Sequence, residues 1–222
     1  SWPAPALGRQ IRARRALAET PFLGILPDEC MRWVHRASVR RGELLFEKGA
    51  PCDALFGLVS GQAKLFAEGE NGRQISFGLV GPGELIGEVG VASGAPRHAS
   101  VVALAPCELA SIKRRDLDRL LENHAMLREA LAHVSGEAAR RLSERIEDAA
   151  FLSIEARVEK ALSDFAHRFG ERIEDGVCVA LRQQDLADVL GLSRETVSRV
   201  LTSGSMGSQV RLARGRIILL GD

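Results

Sequence analysis

Short runs of alternating apolar and polar residues fill the chain from Val39 to Ile112, and the clearest of them lie at 44–46, 55–59 and 75–80. Alternation with a period of two places successive side chains on opposite faces of a β-strand. Asn71-Gly72 predicts a hairpin, because both residues tolerate the positive φ of a type I′ turn. Many short strands with regular turns predict an antiparallel β-barrel of the jelly-roll kind. The runs are punctuated by Gly42, Gly49, Gly61, Gly72, Gly83 and Gly87.

The apolar spacing changes to three or four residues from Arg115 onward, which indicates helices with a break near His124. Beyond the break, a narrow apolar seam follows one long helix. A seam this narrow favours pairing with an identical helix, and the alternative is packing on the barrel of the same chain. The two arrangements are compatible. The seam consists of Leu127, Leu131, Val134, Ala138, Leu142, Ile146 and Ala149.

Further helices are predicted on either side of these regions. Pro27 to Arg36 is interpreted as one short helix before the strands, and Ser153 as the N-cap of a helix that reaches Phe169 and ends at Gly170. The fold class is therefore α+β. Its predicted parts are a helical lead-in at 1–38, the β-barrel at 39–124, the long helix with a hinge at 125–152, and a C-terminal domain at 153–222.

A helix-turn-helix is predicted at 183–201, where the sequence is QQDLADVLGLSRETVSRVL. Ala187 is small where the two helices cross, Gly191 supplies the positive φ of the tight turn, and Ser193 caps the second helix. An ordinary helical hairpin is the alternative, and it does not require all of these features within one short window. The apolar positions that pack the two helices together are Leu186, Leu190, Leu192, Val197 and Val200.

The residues that follow predict a wing, since 210–218 is interpreted as two short strands around a basic turn. A helix-turn-helix with such a wing is the winged-helix arrangement. Between the two features, Thr202 to Ser208 is rich in serine and glycine and is poor helix material. The second helix is therefore expected to end early or to be mobile in its C-terminal half.

Arginines are concentrated in this region, although the formal net charge of the chain is only +1. Glu195 is the single acid between Leu190 and Arg216, which contain Arg194, Arg199, Arg211, Arg214 and Arg216. Such a local excess neutralises DNA phosphates. Arginine donates to guanine O6 and N7 and glutamate accepts from cytosine N4, so Arg194, Arg199 and Glu195 are predicted to read bases. Phosphate contacts are predicted for Ser193, Thr196, Ser198, Arg214 and Arg216.

Composition and missing motifs exclude several classes of protein. The chain is 45% hydrophobic and 27% charged, which is typical of soluble globular proteins. No apolar run approaches the roughly 20 residues that cross a bilayer, so we expect no membrane partner and a cytoplasmic protein. The four cysteines are scattered without a C-x-x-C pair, so no metal site is expected. An enzyme is not favoured, because the nucleophile elbow, the Walker loop and H-E-x-x-H are all missing.

These patterns together resemble the cyclic-AMP receptor protein and fumarate-nitrate regulator (Crp/Fnr) family of bacterial transcription regulators, in the order barrel, long dimer helix, winged helix. The most specific match is Ser193-Arg194-Glu195-Thr196-Val197-Ser198-Arg199, which is similar to the recognition helix of members that bind TGTGA half-sites. The resemblance implies a homodimer on a palindromic DNA site, with RNA polymerase as a further partner. Whether target genes are activated or repressed stays open.

The resemblance extends to an effector site in the barrel. Gly87-Glu88-Val89-Gly90 followed by Arg97-His98-Ala99 looks like the family's phosphate-binding cassette, in which the glutamate holds a ribose hydroxyl and the arginine a cyclic phosphate. Leu142-Ser143 corresponds to the Thr-Ser pair that meets adenine.

Two positions differ from the pattern of the cyclic-AMP-binding members. His98 replaces a Ser or Thr, and Leu142 replaces the Thr of the pair. Cyclic AMP or a related cyclic nucleotide is the expected effector, with no covalently bound cofactor, and a different effector or none is the alternative. A third class, a cyclic-nucleotide-sensing regulatory subunit of a larger assembly, would not need a base-reading helix.

Overall fold

The computed structural model describes residues 21–70, 72, 74–203 and 206–221. These residues form two compact units, the first built from the chain up to Ala63 with 80–138, and the second from 64–79 with 139–222. Residues 1–20 of the expected helical lead-in lie outside the described part. So do Asn71 of the expected hairpin turn and Gly204 and Ser205 of the serine-rich stretch.

Antiparallel strands and short helices form the first unit. The elements are α1 (Pro21–Gly24), a 3₁₀ helix (Asp28–Trp33), β1 (Val34–Val39), β2 (Leu44–Phe46), β3 (Ala54–Ser60), β6 (Leu85–Ile86), α2 (Glu88–Ser93), β7 (Ser100–Ala103), β8 (Cys107–Lys113) and α3 (Arg114–Asn123). One four-stranded sheet has the order β1-β8-β3-β6, and β2 pairs with β7.

The predicted strands at 44–46, 55–59 and 75–80 are present, but two expectations from the sequence need correction. The antiparallel sheets are not closed into a barrel. Pro27 to Arg36 is not one helix, because the 3₁₀ helix ends at Trp33 and Val34 begins β1. Val34 pairs with Ile112 and Arg36 with Ala110 of β8, so long-range pairing overrides the local helical pattern.

The long helix α4 (Ala125–Phe151) follows the break at His124 and runs through both units. Its first turns belong to the core of the first unit, where Leu127 and Leu131 pack among the buried residues of α1 and α3. In the second unit, by contrast, Leu142 is 42% and Ile146 65% exposed. The first half of the predicted seam therefore packs on its own chain, and the second half remains an exposed apolar stripe.

The second unit holds the strands β4 (Ala63–Glu68) and β5 (Gln74–Val80), apart from their outermost residues, together with the C-terminal elements. Ser153 caps α5 as expected, accepting a hydrogen bond from the Ala156 N–H at 3.2 Å. The sheet order β11-β12-β10-β9 completes a winged helix. The elements are α5 (Ile154–Phe169), β9 (Glu171–Ile173), β10 (Gly176–Val179), α6 (Gln183–Leu190), α7 (Arg194–Thr202), α8 (Met206–Gln209), β11 (Val210–Ala213) and β12 (Arg216–Leu220).

Candidate nucleic-acid interface and anion site

The helix-turn-helix is built by tight packing of α6 on α7. Leu186, Ala187 and Val197 have no solvent exposure at their contact. Gly191 adopts φ +65°, which lets the chain reverse, and the Leu192 N–H then donates to the Ala187 carbonyl at 3.0 Å. This packing fixes the direction of α7.

Ahead of α6, the Asp185 carboxylate accepts hydrogen bonds from both the side chain and the main chain of Arg182. Both Arg182 side-chain contacts to the carboxylate are 2.8 Å long, and the Arg182 main-chain N–H donates to the same group at 3.2 Å. The hydrogen bond to Asp185 raises the pKa of Arg182. Because Asp185 is buried, this pairing holds the start of α6 in place.

The first turns of α7 present charged side chains to solvent. Ser193 accepts the Thr196 N–H at 3.1 Å, and the two hydroxyls lie 3.0 Å apart. Arg194, Glu195 and Arg199 are all exposed. Hydrogen bonds from the Glu195 main chain and from Ser193 lower the pKa of Glu195, and the nearby charge of Arg194 lowers it further. Glu195 is therefore an ionised acceptor between two exposed donors.

The predicted early end of α7 is confirmed. The helix stops at Thr202, where its hydroxyl donates to the Ser198 carbonyl at 2.8 Å, and the short helix α8 starts at Met206. In the wing, Gly215 has φ +74° between β11 and β12, and both Arg214 and Arg216 are exposed.

One arginine of the basic region has a partner that the sequence pattern did not indicate. Arg211 donates to Asp175 at 2.5 Å, and this hydrogen bond lowers the pKa of Asp175. Arg211 lies in β11 and Asp175 lies between β9 and β10, so the two are far apart along the chain and are brought together by the sheet that contains these strands. The positive charge available for phosphate contacts is smaller than the count of arginines suggests.

In the first unit, the candidate anion site centres on Arg97. Its guanidinium carbon lies 4.0 Å from the centre of the Phe46 ring and 5.5 Å from that of Phe56. One nitrogen, Nη2, donates to the Ala54 carbonyl at 2.8 Å and to Asp53 at 3.1 Å. The other two, Nε and Nη1, are buried and have no hydrogen-bond partner among the described residues.

Gly87 shapes the space in front of this guanidinium. It has φ +92° and precedes α2, and a Cβ atom added to it would lie 2.1 Å from Arg97 Nη1. A glycine is therefore required for both its backbone conformation and its close approach to the arginine. A buried cation with unused donors beside bare backbone is suited to an anion.

Charged side chains are usually exposed, but Glu88 and Arg97 are both buried. Glu88 is 5% and Arg97 3% exposed. The physical reason is that two aromatic rings, Phe46 and Phe56, enclose the guanidinium. Sequence reasoning missed these rings and Asp53, since the rings fit equally well as ordinary core residues of two strands.

The remaining predicted effector residues are distributed as follows. Ala99 is buried, Val89 is half-buried and His98 is exposed in the first unit. Partial desolvation lowers the pKa of His98, and the charges of Arg97 and Lys48 lower it further. Leu142 and Ser143 lie on the exposed part of α4 in the second unit, so their place in an effector site stays a prediction.

Two family models match separate segments of the chain. Residues 36–124 match a cyclic nucleotide-binding domain and residues 156–220 a Crp-like helix-turn-helix domain. This combination defines a DNA-binding transcription regulator with a cyclic nucleotide-binding domain, and the relatives are regulators rather than enzymes. The chain belongs to the Crp/Fnr family.

Two curated relatives illustrate the relationship. The chain is 31% identical over 201 residues to the "Cyclic AMP receptor protein" of Thermus thermophilus. This alignment covers 88% of this chain and 90% of the relative. It is 29% identical over 184 residues to the "CRP-like cAMP-activated global transcriptional regulator" of Mycobacterium tuberculosis, covering 82% of each.

Solved structures show the same fold. FixK2 from Bradyrhizobium japonicum aligns with a TM-score of 0.75 at 20% identity, covering 84% of this chain and 92% of that one. The c-di-GMP responsive global regulator CLP from Xanthomonas campestris aligns with a TM-score of 0.71 at 23% identity, covering 86% and 96%. None of the helices in the described part of the chain is long and apolar enough to cross a membrane.

Gly87→Ala tests the geometry of the anion site. The new Cβ would collide with Arg97, whereas Gly94→Ala introduces a similar left-handed strain (φ +70°) into open space. We expect Gly87→Ala to lower the free energy of unfolding by about 1–3 kcal/mol more than Gly94→Ala, as overpacking does. Urea unfolding measures both. Equal losses would show that Arg97 can move aside.

Proposed function

We propose that this protein is a homodimeric regulator that binds a palindromic TGTGA-like DNA site under the control of a cyclic nucleotide, with cyclic AMP as the first candidate. The observation that carries the DNA-binding half is the set of exposed Arg194, Glu195 and Arg199 on the first turns of a capped helix. A helix placed in this way by a helix-turn-helix offers its N-terminal residues to base edges in the major groove.

The side chains divide into two kinds of contact. Arg194 and Arg199 would bind guanines, and Glu195, ionised at neutral pH, would accept from a cytosine of the complementary strand. Phosphates would be bound by the remaining polar and basic side chains of the helix and wing. Of these, Ser193 already caps α7, so its hydroxyl contributes by holding the helix start beside the backbone. The proposed phosphate contacts are Ser193, Thr196, Ser198, Arg214 and Arg216.

Substitutions can separate base contacts from phosphate contacts. Arg194→Ala and Arg199→Ala are each expected to weaken the free energy of binding to a TGTGA palindrome by about 1–3 kcal/mol. Each should also reduce the preference for guanine at one position of the site. Arg214→Ala should weaken binding to all DNA sequences alike, because it removes one phosphate contact. The slope of the logarithm of affinity against the logarithm of salt concentration should become shallower by about 1. Fluorescence anisotropy on cognate and scrambled duplexes at several salt concentrations measures both effects.

The control for these variants is Arg36→Ala, because Arg36 is exposed in the first unit and pairs with Glu108 at 3.4 Å. It should leave both affinity and salt slope unchanged. If Arg194→Ala weakens binding to scrambled DNA as much as to the palindrome, its base-reading role is wrong.

The effector half rests on Arg97. Its Nε and Nη1 are buried without partners among the described residues, and a cyclic phosphate would supply the missing acceptor. Gly87 leaves room for the Arg97 guanidinium beside the backbone, and Glu88 would accept from a ribose hydroxyl. This choice is supported by relatives, one named as cAMP-activated and one as a cyclic AMP receptor protein. The alternative is the same DNA-binding regulator with a non-nucleotide effector or none.

His98 makes the proposed effector binding depend on pH. In the free protein its pKa is lowered, whereas a bound phosphate would raise it by favouring the imidazolium. Cyclic AMP affinity should therefore rise as pH falls through the bound pKa, and level off below the free pKa, which lies under the usual value of about 6.5. Calorimetry between pH 8 and 5 measures this, and His98→Ser should bind without the dependence.

Arg97→Gln is the companion variant and should abolish binding. Because Arg97 is buried, thermal unfolding of the variant protein must also be recorded. This measurement separates a loss of binding from a loss of fold. If the unmodified protein shows no heat with millimolar cyclic AMP, and binds its operator equally well without it, cyclic AMP is not the effector.

The dimer is proposed from the exposed half of the seam on α4. Leu142 and Ile146 lie one turn apart there, and Phe151 at its end is 85% exposed. An identical helix would cover this stripe. A two-fold axis would then require half-sites about one helical turn apart, and such a regulator would act in the cytoplasm with RNA polymerase as its partner.

Leu142→Glu with Ile146→Glu should split this dimer, because two like charges from each chain would meet in an apolar interface. Sedimentation at micromolar concentration should show a dimer for the unmodified protein and a monomer for the double variant. Met126→Glu, a change at a 70% exposed position off the seam of the same helix, is the control and should remain a dimer. A monomeric unmodified protein would refute the proposal.

A further inference from the structure

The strand β5 is an edge strand of its sheet, and edge strands carry main-chain groups without partners in the sheet. Two arginines from helices of the second unit bind its carbonyl groups. Arg145 of α4 donates to Phe77, and Arg168 of α5 donates to Leu79 at 2.9 Å. These two carbonyls are two residues apart and so lie on the same side of the strand.

Arg145 also reaches the helix-turn-helix. A second nitrogen of its guanidinium donates to the carbonyl of Val189, in the last turn of α6. The same guanidinium therefore joins β5 to α6. Gly78 makes room for it, since a Cβ at that position would lie 3.2 Å from Arg145 Nη1. Burial lowers the pKa of Arg145, and Arg168 adds to the effect.

An ion pair makes a second connection between the hairpin and α6. Lys64 of β4 contacts Asp188 at 2.6 Å, and the two side chains are only 9% and 27% exposed. The other carboxylate oxygen of Asp188 accepts from Gln184 at 2.7 Å. A partly buried charge pair is screened by salt less than an exposed one, and removing one partner leaves the other poorly compensated.

We propose that Lys64, Arg145 and Asp188 form a hairpin latch, which holds the helix-turn-helix on β4–β5 in the orientation that binds DNA. The proposal rests on the DNA-binding function proposed above. Residues 64–79 lie within the segment that matches the cyclic nucleotide-binding domain, and Asp188 lies within the segment that matches the helix-turn-helix. The latch thus connects α6 to β4 and β5, two strands of the segment that matches the cyclic nucleotide-binding domain.

The latch positions the recognition helix without covering it. Leu186 and Ala187 of α6 pack against Val197 of α7, so holding α6 also holds α7. Arg194, Glu195 and Arg199 are exposed while the latch is closed. Ordering the helices before DNA arrives lowers the entropy lost on binding, so an intact latch strengthens binding.

Lys64→Gln and Asp188→Asn test the latch in the full-length protein. Each should speed amide hydrogen exchange in residues 183–202 and weaken binding to the TGTGA palindrome by roughly tenfold, and the double variant should lose little more than either single one. Lys64→Arg, which keeps the charge, should restore both properties. The matched control is Lys160→Gln, which removes an ion pair of the same length with Asp148 in the same unit and should change neither.

The outcomes separate the latch from the proposed function. Unchanged exchange in residues 183–202 would show that the ion pair does not hold the helix-turn-helix, and would overturn the latch. Faster exchange with equal or tighter DNA binding would overturn its positioning role. If the unmodified protein binds no DNA specifically, the proposed function fails, and the exchange rates still decide whether the latch exists.

Discussion

A long α-helix is stiff, because every bend lengthens main-chain hydrogen bonds. This constraint governs α4, whose 27 residues belong to both compact units. Its first turns lie in an apolar core around Leu127, the half-buried Arg145 lies about two turns before its end, and its last residue, Phe151, is exposed. The side chains along this one helix therefore change from buried and apolar, through half-buried and charged, to exposed and apolar.

The half-buried Arg145 and the buried Arg97 show how the surroundings of an arginine determine what its charge does. Arg145 donates to the main-chain oxygens of Phe77, Ser76 and Val189, so its charge is spent on holding elements together. Arg97 donates from one nitrogen and has two others without partners among the described residues. The chain itself supplies the hydrogen-bond acceptors of Arg145. In the proposed effector complex an anion would supply those of Arg97, which is the physical difference between a structural arginine and a binding one.

The helix-turn-helix could be predicted in detail because its determinants are local. Gly191 and Ser193 act on their immediate neighbours, and the packing positions repeat at helical spacing. The burial of Arg97 could not be predicted, since it depends on Phe46 and Phe56, rings carried by distant strands. The same holds for Val34, whose strand is imposed by β8, and for the pairing of Arg211 with Asp175.

The early end of α7 limits how much sequence one copy can read. Nine residues give a helix about 13 Å long, which spans roughly four base pairs at about 3.4 Å each. In the proposed complex with DNA, direct hydrogen bonding would therefore supply information from only a short tract of each half-site. Further selectivity in that proposed complex would come from the duplex itself, through the energy needed to bend or twist the base pairs that no side chain touches.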